Sequence, residues 1–417
     1  MTVMSTYLPP SLEFLAPAVD GVYEHLTPTV VLASLAAVVV VDVGLLYLLL
    51  LLVTHTPRAE TASEKTYITA DSNGPVATPL PLPDTLDAGV EPEVYMSVIV
   101  PAYNEALRIE GMLDEAVDFL REEYGDNQNQ TVAAAGKEGV KRRKENGAAP
   151  ANGHANGGVN GSANGEREVT GWEILIVDDG SKDTTTDFVL AWMKRRVEMG
   201  HMKAGDLRVV HLEKNRGKGG AVTHGMRHMR GKYAVFADAD GATKFSDLRT
   251  LLARLKSIES TKPAPADPSK REIHGIAVGS RAHMVNSSAV VERQWYRNLL
   301  MYAFHTFLHV IGIQKIKDTQ CGFKLFTRDT ARLVFWECHC EGWIFDIECL
   351  LIAEEEKVGV EEVSVTWHEV EGTKMSLIRD SLTMAWDLVV VRSAYIVGVY
   401  GGKRKAWRKG KAGAKRL

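Results

Sequence analysis

A 25-residue run from Thr29 to Val53, whose only formal charge is Asp42, most narrows what this chain can fold into. As an α-helix the run is about 37 Å long, which is enough to span a bilayer with some tilt. A cleaved signal peptide is the alternative, but its apolar region should be shorter and should follow positive charge, and residues 1–28 contain no Lys or Arg. The sequence therefore predicts a short extracytosolic N-terminus (1–28) and a transmembrane helix (29–53).

Charge and cysteine usage indicate the compartment. The nearest cations after the apolar run are Arg58 and Lys65, so the positive-inside rule places the N-terminus outside and the bulk of the chain in the cytosol. All four cysteines follow residue 320 and make no disulfide framework, which fits a reducing compartment. The net charge of −4 gives no signature of nucleic-acid binding. We predict a single-pass membrane protein whose main part, after the span, lies in the cytosol and binds no nucleic acid.

Two segments have the composition of linkers rather than of a core. Residues 54–92 are rich in Thr, Pro, Ala and Asp without a sustained apolar period, and are predicted to be a linker. In 126–168, Ala, Gly and Asn make up 23 of 43 residues, which predicts a disordered insertion. The remaining core, 93–380, is predicted to be one domain, and 381–417 an amphipathic helix with a basic tail suited to anionic lipid.

Short β-rich runs alternate with amphipathic helical patterns in the predicted domain. This order predicts an α/β fold with a mainly parallel sheet flanked by helices. Ligands of such sheets bind at the carboxyl ends of the strands, so the residues just after each strand are candidate site residues. The predicted strands are Ser97–Val100, Ile174–Val177, Leu207–Leu212, Tyr233–Ala237 and Ile276–Val278, with helices near 105–123, 184–198, 218–230 and 246–257.

Paired carboxylates follow two of the predicted strands. Asp178 and Asp179 follow the second strand, and Asp238 and Asp240 follow the fourth. One such Asp is usually a helix cap or turn former, but clustered carboxylates repel each other unless a cation or hydrogen-bond donors compensate. Hard divalent ions take oxygen ligands and are often shared with substrate phosphates. Asp238 and Asp240 lie on the same side of an extended segment and are predicted to bind one Mg²⁺ or Mn²⁺ ion.

The segment Asn215–Ala221, with the sequence NRGKGGA, opens a helix after the third predicted strand. Glycine lets the backbone approach a phosphate, and Lys218 places a positive charge at a helix N-terminus. The segment is not a P-loop, because Gly219 stands where Ser or Thr should follow the lysine. Beside two acidic strand ends, it predicts a site for a nucleotide diphosphate with its metal.

Six motifs in one order give the chain a family resemblance. With them it resembles the inverting family-2 glycosyltransferases with a GT-A fold, and within these the dolichyl-phosphate sugar synthases. Its single N-terminal span, DADGATKFSDL and GSRAHM are most similar to the dolichyl-phosphate beta-glucosyltransferases. The motifs are PAYNE at 101–105, DDGS at 178–181, NRGKGGA at 215–221, DADG at 238–241, GSR at 279–281 and DTQCGFKLF at 318–326.

The resemblance implies an enzyme of the endoplasmic reticulum membrane whose catalytic domain faces the cytosol. It would transfer glucose with inversion from UDP-glucose to dolichyl phosphate, using Mg²⁺ or Mn²⁺, to form the lipid-linked glucose donor for protein N-glycosylation. Carried over by motif, Lys218 would lie near the diphosphate and Asp238 and Asp240 would hold the metal. The nucleoside pocket would be lined by Pro101, Tyr103, Glu105 and Asp178.

The third protein ligand of the metal stays open. Related mannosyl synthases often carry a glutamine shortly after the second aspartate of the DAD motif, whereas Ala242 and Thr243 follow Gly241 here. Asp346 is a candidate for that ligand or for another catalytic role, and a structural acid is the alternative. The candidate catalytic residues are Asp240, Asp346 and Arg281.

The acceptor chemistry predicts cationic clamps rather than a general base. A phosphate monoester has a second pKa near 6, so a lipid phosphate is already a charged nucleophile at neutral pH. Positioning the two anionic substrates and stabilising the leaving diphosphate are then the main tasks. Arg281, Arg293 and Arg297 are candidate acceptor-phosphate ligands, because guanidinium binds phosphate oxygens bidentately. Surface arginines on a helix are the alternative.

Two other functions stay open at this point. The first is mannosyl transfer from GDP-mannose to the same lipid, because its motifs are shared. The second is an inactive membrane scaffold that keeps a nucleotide-sugar fold. Intact acidic and lysine motifs disfavour the scaffold.

Overall fold

The computed structural model describes residues 28–71, 74–80, 91–125, 169–261, 275–284, 316–370 and 377–402. Helix α1 (Pro28–Val53) belongs to one compact unit with residues 392–400, and residues 55–391 form the other. Within the described ranges, α1 is the one helix long and apolar enough to cross a membrane, and it buries none of its residues. The helix predicted from the apolar run (29–53) is therefore present and begins one residue earlier than predicted.

The larger unit is built on one sheet of nine strands within the described ranges. Their order across the sheet is β2-β1-β5-β4-β3-β6-β8-β7-β9. The strands are β1 (Thr66–Asp71), β2 (Gly74–Pro79), β3 (Val94–Ala102), β4 (Trp172–Asp178), β5 (Leu207–His211), β6 (Gly231–Ala237), β7 (Gly275–Ser280), β8 (Phe323–Thr327) and β9 (Gly359–Ser364).

Seven further helices accompany α1 in the described ranges, and short 3₁₀ turns lie at Ser63–Lys65, Phe245–Asp247 and Ala282–Met284. They are α2 (Ile109–Tyr124), α3 (Thr185–Glu198), α4 (Lys218–Arg227), α5 (Leu248–Thr261), α6 (Arg328–Glu337), α7 (Phe345–Glu355) and α8 (Leu377–Ile396).

The centre of the sheet is a parallel block, because β5, β4, β3 and β6 pair in the same direction. Strand β8 runs against β6 and β7, β1 runs against β2 and β5, and β9 is parallel to β7. Seven of the nine strands therefore share one direction. Helix α4 packs on β3 and β4, and α5 packs on β7 and β8. The predicted α/β fold, a mainly parallel sheet flanked by helices, is confirmed.

All five predicted strands and the four predicted helices between them are present. Strand β4 is buried at every position, as expected for a central parallel strand covered on both faces. Helix α2 buries an apolar stripe and exposes the opposite face. Its apolar residues recur with the 3.6-residue period of a helix, and that period predicted the helix from the sequence. The short apolar runs and the amphipathic periods between them thus determined the centre of the sheet.

The predicted linker at 54–92 is wrong over residues 63–80, and the domain begins earlier than the predicted residue 93. Strands β1 and β2 form a hairpin there, and β1 adds to the sheet through Ile68 opposite Val209. Pro75 and Pro79 are tolerated because β2 is the edge strand. Composition missed the hairpin, since the sheet edge that supports it comes from residues more than 130 positions away.

Helix α8 covers the part of the predicted C-terminal amphipathic helix that lies within the described ranges. Met384, Leu388 and Val391 are buried at helical spacing, whereas Leu382 and Trp386 are exposed. The basic tail (403–417), the predicted insertion (126–168), Arg293 and Arg297 lie outside the described residues.

We expect the insertion to be dispensable for folding, because the chain on either side of it is already joined. The indole Nε1 of Trp172, the first residue of β4, donates to the carbonyl oxygen of Gly125 at 3.3 Å. Replacing residues 127–167 by a short Gly-Ser linker should leave the thermal unfolding midpoint within about 3 °C of wild type. Loss of a cooperative unfolding transition in the shortened protein would contradict this.

Candidate active site

A cavity of about 570 Å³ opens where β3, β4 and β6 end at the same edge of the sheet. Eight of the residues predicted for the site line it, and Asp179, Arg108 and Gly322 line it with them. Arg293 and Arg297 fall outside the described residues, and Asp178 is not part of the wall. The eight predicted residues are Pro101, Tyr103, Glu105, Lys218, Asp238, Asp240, Arg281 and Asp346.

The loop after β3 is fixed to the loop after β4 by Asn104. The backbone N–H of Asn104 donates to Ser181 Oγ at 2.9 Å, and its side-chain Oδ1 accepts from the N–H of Lys182 at 2.7 Å. Asn104 has a φ of 52°, a conformation that asparagine tolerates better than most residues. The N–H of Glu105 also donates to Thr185 Oγ1 at 2.8 Å. These bonds hold the PAYNE and DDGS motifs together on one side of the cavity.

Asp178 has a structural role, contrary to its predicted place in the nucleoside pocket. It is buried, and its Oδ1 accepts from the N–H of Ser181 at 2.8 Å. Its Oδ2 lies 3.2 Å from His211 Nδ1 and accepts from the Thr186 hydroxyl. The sequence could not show which of Asp178 and Asp179 faces the cavity. Successive side chains of a strand point to opposite faces, and the sequence pattern does not say which face holds the site.

Asp179 is the carboxylate of this pair that faces the cavity. Its two oxygens accept from the backbone N–H groups of Arg216 at 2.6 Å and Gly217 at 2.9 Å, which joins the loop after β4 to the NRGKGGA segment. Burial raises the pKa of Asp179 to about 7, with a further rise from the charge of Asp178, against the two N–H bonds. Asp179 thus changes charge near neutral pH.

Lys218, at the start of α4, forms an ion pair with Asp238, which follows β6. The Nζ to Oδ1 distance is 2.6 Å. Burial disfavours the charged lysine, but the attraction of Asp238 and Asp346 outweighs it, and the pKa of Lys218 is raised. The lysine therefore carries a full charge inside the cavity.

Asp240 lies in the same wall without a comparable partner charge at bonding distance in the described ranges. Burial raises its pKa, and the like charge of Asp238 raises it further. The N–H of Ala242 donates to Asp240 Oδ1 at 3.0 Å, which favours the ionised form only in part. Two carboxylates of like charge in one cavity wall are a donor set that fits a hard divalent ion.

Gly322 makes room for the Asp238 carboxylate. A Cβ built on Gly322 would overlap the Asp238 carboxylate oxygens, and the N–H of Asp238 donates to the Gly322 carbonyl oxygen at 3.1 Å. The glycine of the DTQCGFKLF motif is thus required by a close approach of the acid.

Asp346 belongs to a second ion pair, with Lys324 of β8, and this pair is buried. Lys324 is fully buried, and its Nζ also donates to the Cys321 carbonyl oxygen at 2.7 Å. Burial raises the pKa of Asp346, and the charges of Lys324 and Lys218 oppose that rise. Since Lys324 engages this carboxylate, we regard Asp346 as a partner of the two lysines rather than as the third metal ligand.

Lys324 is a residue of the site that sequence reasoning missed. It stands in FKLFT, where all five residues are buried. A single lysine in an otherwise apolar strand was the available signal, because an unpaired buried charge is too costly to persist.

Arg281 is held at the cavity wall by Asp318. Its Nε and Nη2 donate to the two carboxylate oxygens at 2.7 and 2.9 Å, and its backbone N–H donates to the same group at 2.9 Å. The guanidinium also lies 5.6 Å from the Trp367 ring centroid. Although burial disfavours the charge, Asp318 raises the pKa of Arg281. The wall thus presents an oriented cation, as the prediction of an acceptor-phosphate ligand requires.

The sequence matches a known enzyme family. Residues 163–262 match the family described as Glycosyl transferase family 2. The chain is 40% identical to the dolichyl-phosphate beta-glucosyltransferase of Saccharomyces cerevisiae, over 86% of this chain and 92% of that protein. It is 35% identical to the Homo sapiens protein of the same name, over 74% and 78%. With the observed sheet, the family-2 match confirms the predicted GT-A fold class.

A solved structure has a distant likeness to this chain. It is glucosyl-3-phosphoglycerate synthase from Mycobacterium tuberculosis in complex with Mn²⁺, UDP and phosphoglyceric acid. The TM-score is 0.35 at 16% identity, over 73% of this chain and 78% of that one.

The raised pKa of Asp179 predicts a pH-dependent loss of stability. Its ordinary value is 3.8 and its folded value is about 7, so the folded state binds this proton more tightly. The resulting stability is complete below about pH 4 and is lost as the pH rises toward 7. Between pH 5 and 8, the free energy of unfolding of Asp179→Asn should gain about 2 kcal/mol relative to wild type, as measured by chemical denaturation. A difference that does not vary with pH would count against this assignment.

Filling the space at Gly322 should weaken metal and nucleotide binding. We expect Gly322→Ala to displace the Asp238 carboxylate and to lower the affinity for UDP with Mn²⁺ at least about tenfold, measured by calorimetry. Gly111→Ala is the matched control, because a Cβ there meets nothing within 4 Å. Unchanged binding by a folded Gly322→Ala protein would show that the position of Asp238 does not matter.

Proposed function

This chain belongs to the dolichyl-phosphate beta-glucosyltransferase family, within glycosyl transferase family 2, and we propose that it uses UDP-glucose as its donor and a divalent metal as its cofactor. It is an enzyme that transfers glucose to dolichyl phosphate. The observation that carries the donor proposal is the cavity in which Lys218, Asp238 and Asp240 meet at the sheet edge.

In the proposed donor complex, the diphosphate lies over the start of α4. Lys218 is the first residue of this helix, so its ammonium and the positive end of the helix dipole lie near the same anion. Asp238 and Asp240 would hold Mg²⁺ or Mn²⁺, which when bound supplies charge neutralisation to the leaving diphosphate. Lys218 is already charged and placed, so little reorganisation accompanies the reaction.

The nucleoside half of the donor is assigned to the side of the cavity formed by the first two motifs. Pro101, Tyr103 and Glu105 line it together with Asp179. Uracil offers an imide N–H, and Asp179, in its ionised form, would be a buried acceptor for such a donor. The bonds that Asn104 makes between the two loops would keep these walls at a fixed separation.

The acceptor is proposed to attack without a general base. A lipid phosphate is charged at neutral pH, and in-line displacement at the anomeric carbon then gives the inverted, beta-linked product. Arg281, oriented by Asp318, is the proposed acceptor-phosphate ligand in the described part of the cavity wall. Asp346 is proposed to act through the charges of Lys218 and Lys324 rather than by accepting a proton.

We propose that α1 spans the endoplasmic reticulum membrane and that the catalytic domain lies on the cytosolic side. The length and apolarity of α1 support the span, and the lipid acceptor of the family requires a site at a membrane. The cations that follow α1 in sequence support the orientation.

The donor proposal is tested with purified full-length protein, dolichyl phosphate and either labelled UDP-glucose or labelled GDP-mannose, with Mg²⁺ or Mn²⁺. Glucosyl-lipid should form from UDP-glucose, and chelation of the metal should abolish it. Mannosyl-lipid without glucosyl-lipid would overturn the choice of donor, and absence of both products from folded protein would support the scaffold.

Asp240→Asn separates catalysis from folding in the same assay. We expect turnover to fall at least about 100-fold, because a metal ligand is lost. Thermal stability without metal should equal or exceed that of wild type, because the substitution removes the repulsion from Asp238. Near-normal turnover in a stable variant would refute the metal assignment.

A further inference from the structure

Outside the cavity, a second group of metal-ligating side chains lies between α4 and the segment that follows α1. Glu60, His224 and His228 place one ligand atom each within 4.8 Å of one another. The side chains of the two histidines are 0% and 2% exposed, and that of Glu60 is 13% exposed. The proposed reaction uses none of the three.

The spacing within this Glu-His-His cluster is close to that of the ligands of one tetrahedral ion. Glu60 Oε1 lies 3.5 Å from His224 Nδ1 and 3.9 Å from His228 Nε2. Zinc bonds to carboxylate oxygen and imidazole nitrogen are about 2.0–2.2 Å, which puts the ligand atoms of a tetrahedral site about 3.3–3.6 Å apart. The first distance falls within that range, and the second would have to shorten by about 0.3 Å on binding an ion.

A simple hydrogen-bonded pair does not account for His224. Good N–H···O bonds measure about 2.7–3.2 Å, and the distance to Glu60 exceeds that range. Both ring nitrogens of His224 are buried without a hydrogen-bond partner among the described residues. Because buried polar atoms are nearly always satisfied, an imidazole in this state indicates a missing ligand.

We propose that Glu60, His224 and His228 bind a structural Zn²⁺ ion, with water in the fourth position. Two imidazoles and one carboxylate suit zinc, whereas Mg²⁺ prefers oxygen ligands and would occupy Asp238 and Asp240. His224 in α4 and His228 directly after it, with a carboxylate from a distant segment, would form a cross-link between the two segments. This site is separate from the catalytic metal in both ligands and chemistry.

The cross-link would attach the membrane-proximal segment to the helix that carries Lys218. Glu60 follows the last residue of α1 by seven positions, and α4 begins at Lys218 and ends beside His228. Two hydrogen bonds join the same two parts of the chain. Arg216 Nη2 donates to the Arg58 carbonyl oxygen at 2.7 Å, and the N–H of Glu213 donates to the buried Glu64 carboxylate at 3.1 Å. The ion thus stabilises the docking of this segment beside the donor site.

The proposal is tested on chelator-stripped full-length protein in detergent, with excess Mg²⁺ present to saturate the catalytic carboxylates. Zn²⁺ is then titrated, with bound metal measured by mass spectrometry, and Co²⁺ is used as a probe of coordination. We expect about one equivalent of zinc, an intense tetrahedral Co²⁺ spectrum and a rise in the thermal unfolding midpoint. These results should persist in Asp240→Asn, which separates this site from the proposed function.

Single substitutions then identify the ligands. Glu60→Gln and His224→Gln should each weaken zinc binding at least about 100-fold and remove the zinc-dependent rise in the midpoint. His201→Gln is the matched control, because His201 lies 2.9 Å from Arg196 and outside the cluster. Should His224→Gln fail to fold, Glu60→Gln decides, since its side chain is partly exposed. Wild type without bound zinc, or wild-type affinity in Glu60→Gln, would overturn the proposal.

Discussion

The interaction on which the candidate site depends is the ion pair between Lys218 and Asp238 in the cavity wall. Desolvation disfavours the charged lysine, and the carboxylates of Asp238 and Asp346 raise the pKa of Lys218 against that effect. The pair also connects the start of α4 to the end of β6 at the carboxyl edge of the sheet. In the proposed donor complex, this fixed positive charge would lie beside the leaving diphosphate, which is the arrangement that electrostatic catalysis requires.

Around this pair the charges alternate but do not cancel. Three cations each form an ion pair with one carboxylate: Lys324 with Asp346, Arg281 with Asp318, and Lys218 with Asp238. The carboxylate of Asp240, in contrast, lies near the like charge of Asp238. The uncompensated negative charge of Asp240 opposes folding and favours the binding of a divalent ion. We therefore interpret it as a feature that serves function at the expense of stability. Backbone N–H groups of the loops around the cavity donate to the carboxylates of Asp178, Asp179 and Asp240 and fix their positions.

Two glycines of the site lie very close to other parts of the chain. Gly322 lies against the Asp238 carboxylate, and Gly217, with a φ of 83°, lies against the carbonyl group of Glu341. Both contacts join segments about 85 or more positions apart in sequence, so neither glycine can be understood from its own motif. Each motif contains only one side of its contact, because the partner residue lies in a distant segment of the chain.

The sequence by itself determined the parallel centre of the sheet, the helices around it and the acids at the strand ends, because these follow from local apolar periods and from residues that directly follow strands. Only the tertiary structure decided which aspartate of the pair at 178 and 179 faces the cavity and which lysine balances Asp346. It also decided that the predicted linker continues the sheet as β1 and β2, and that Glu60 lies beside His224 of α4 and His228 directly after it. Each of these depends on partners far away in sequence, and no local pattern records the distance between them.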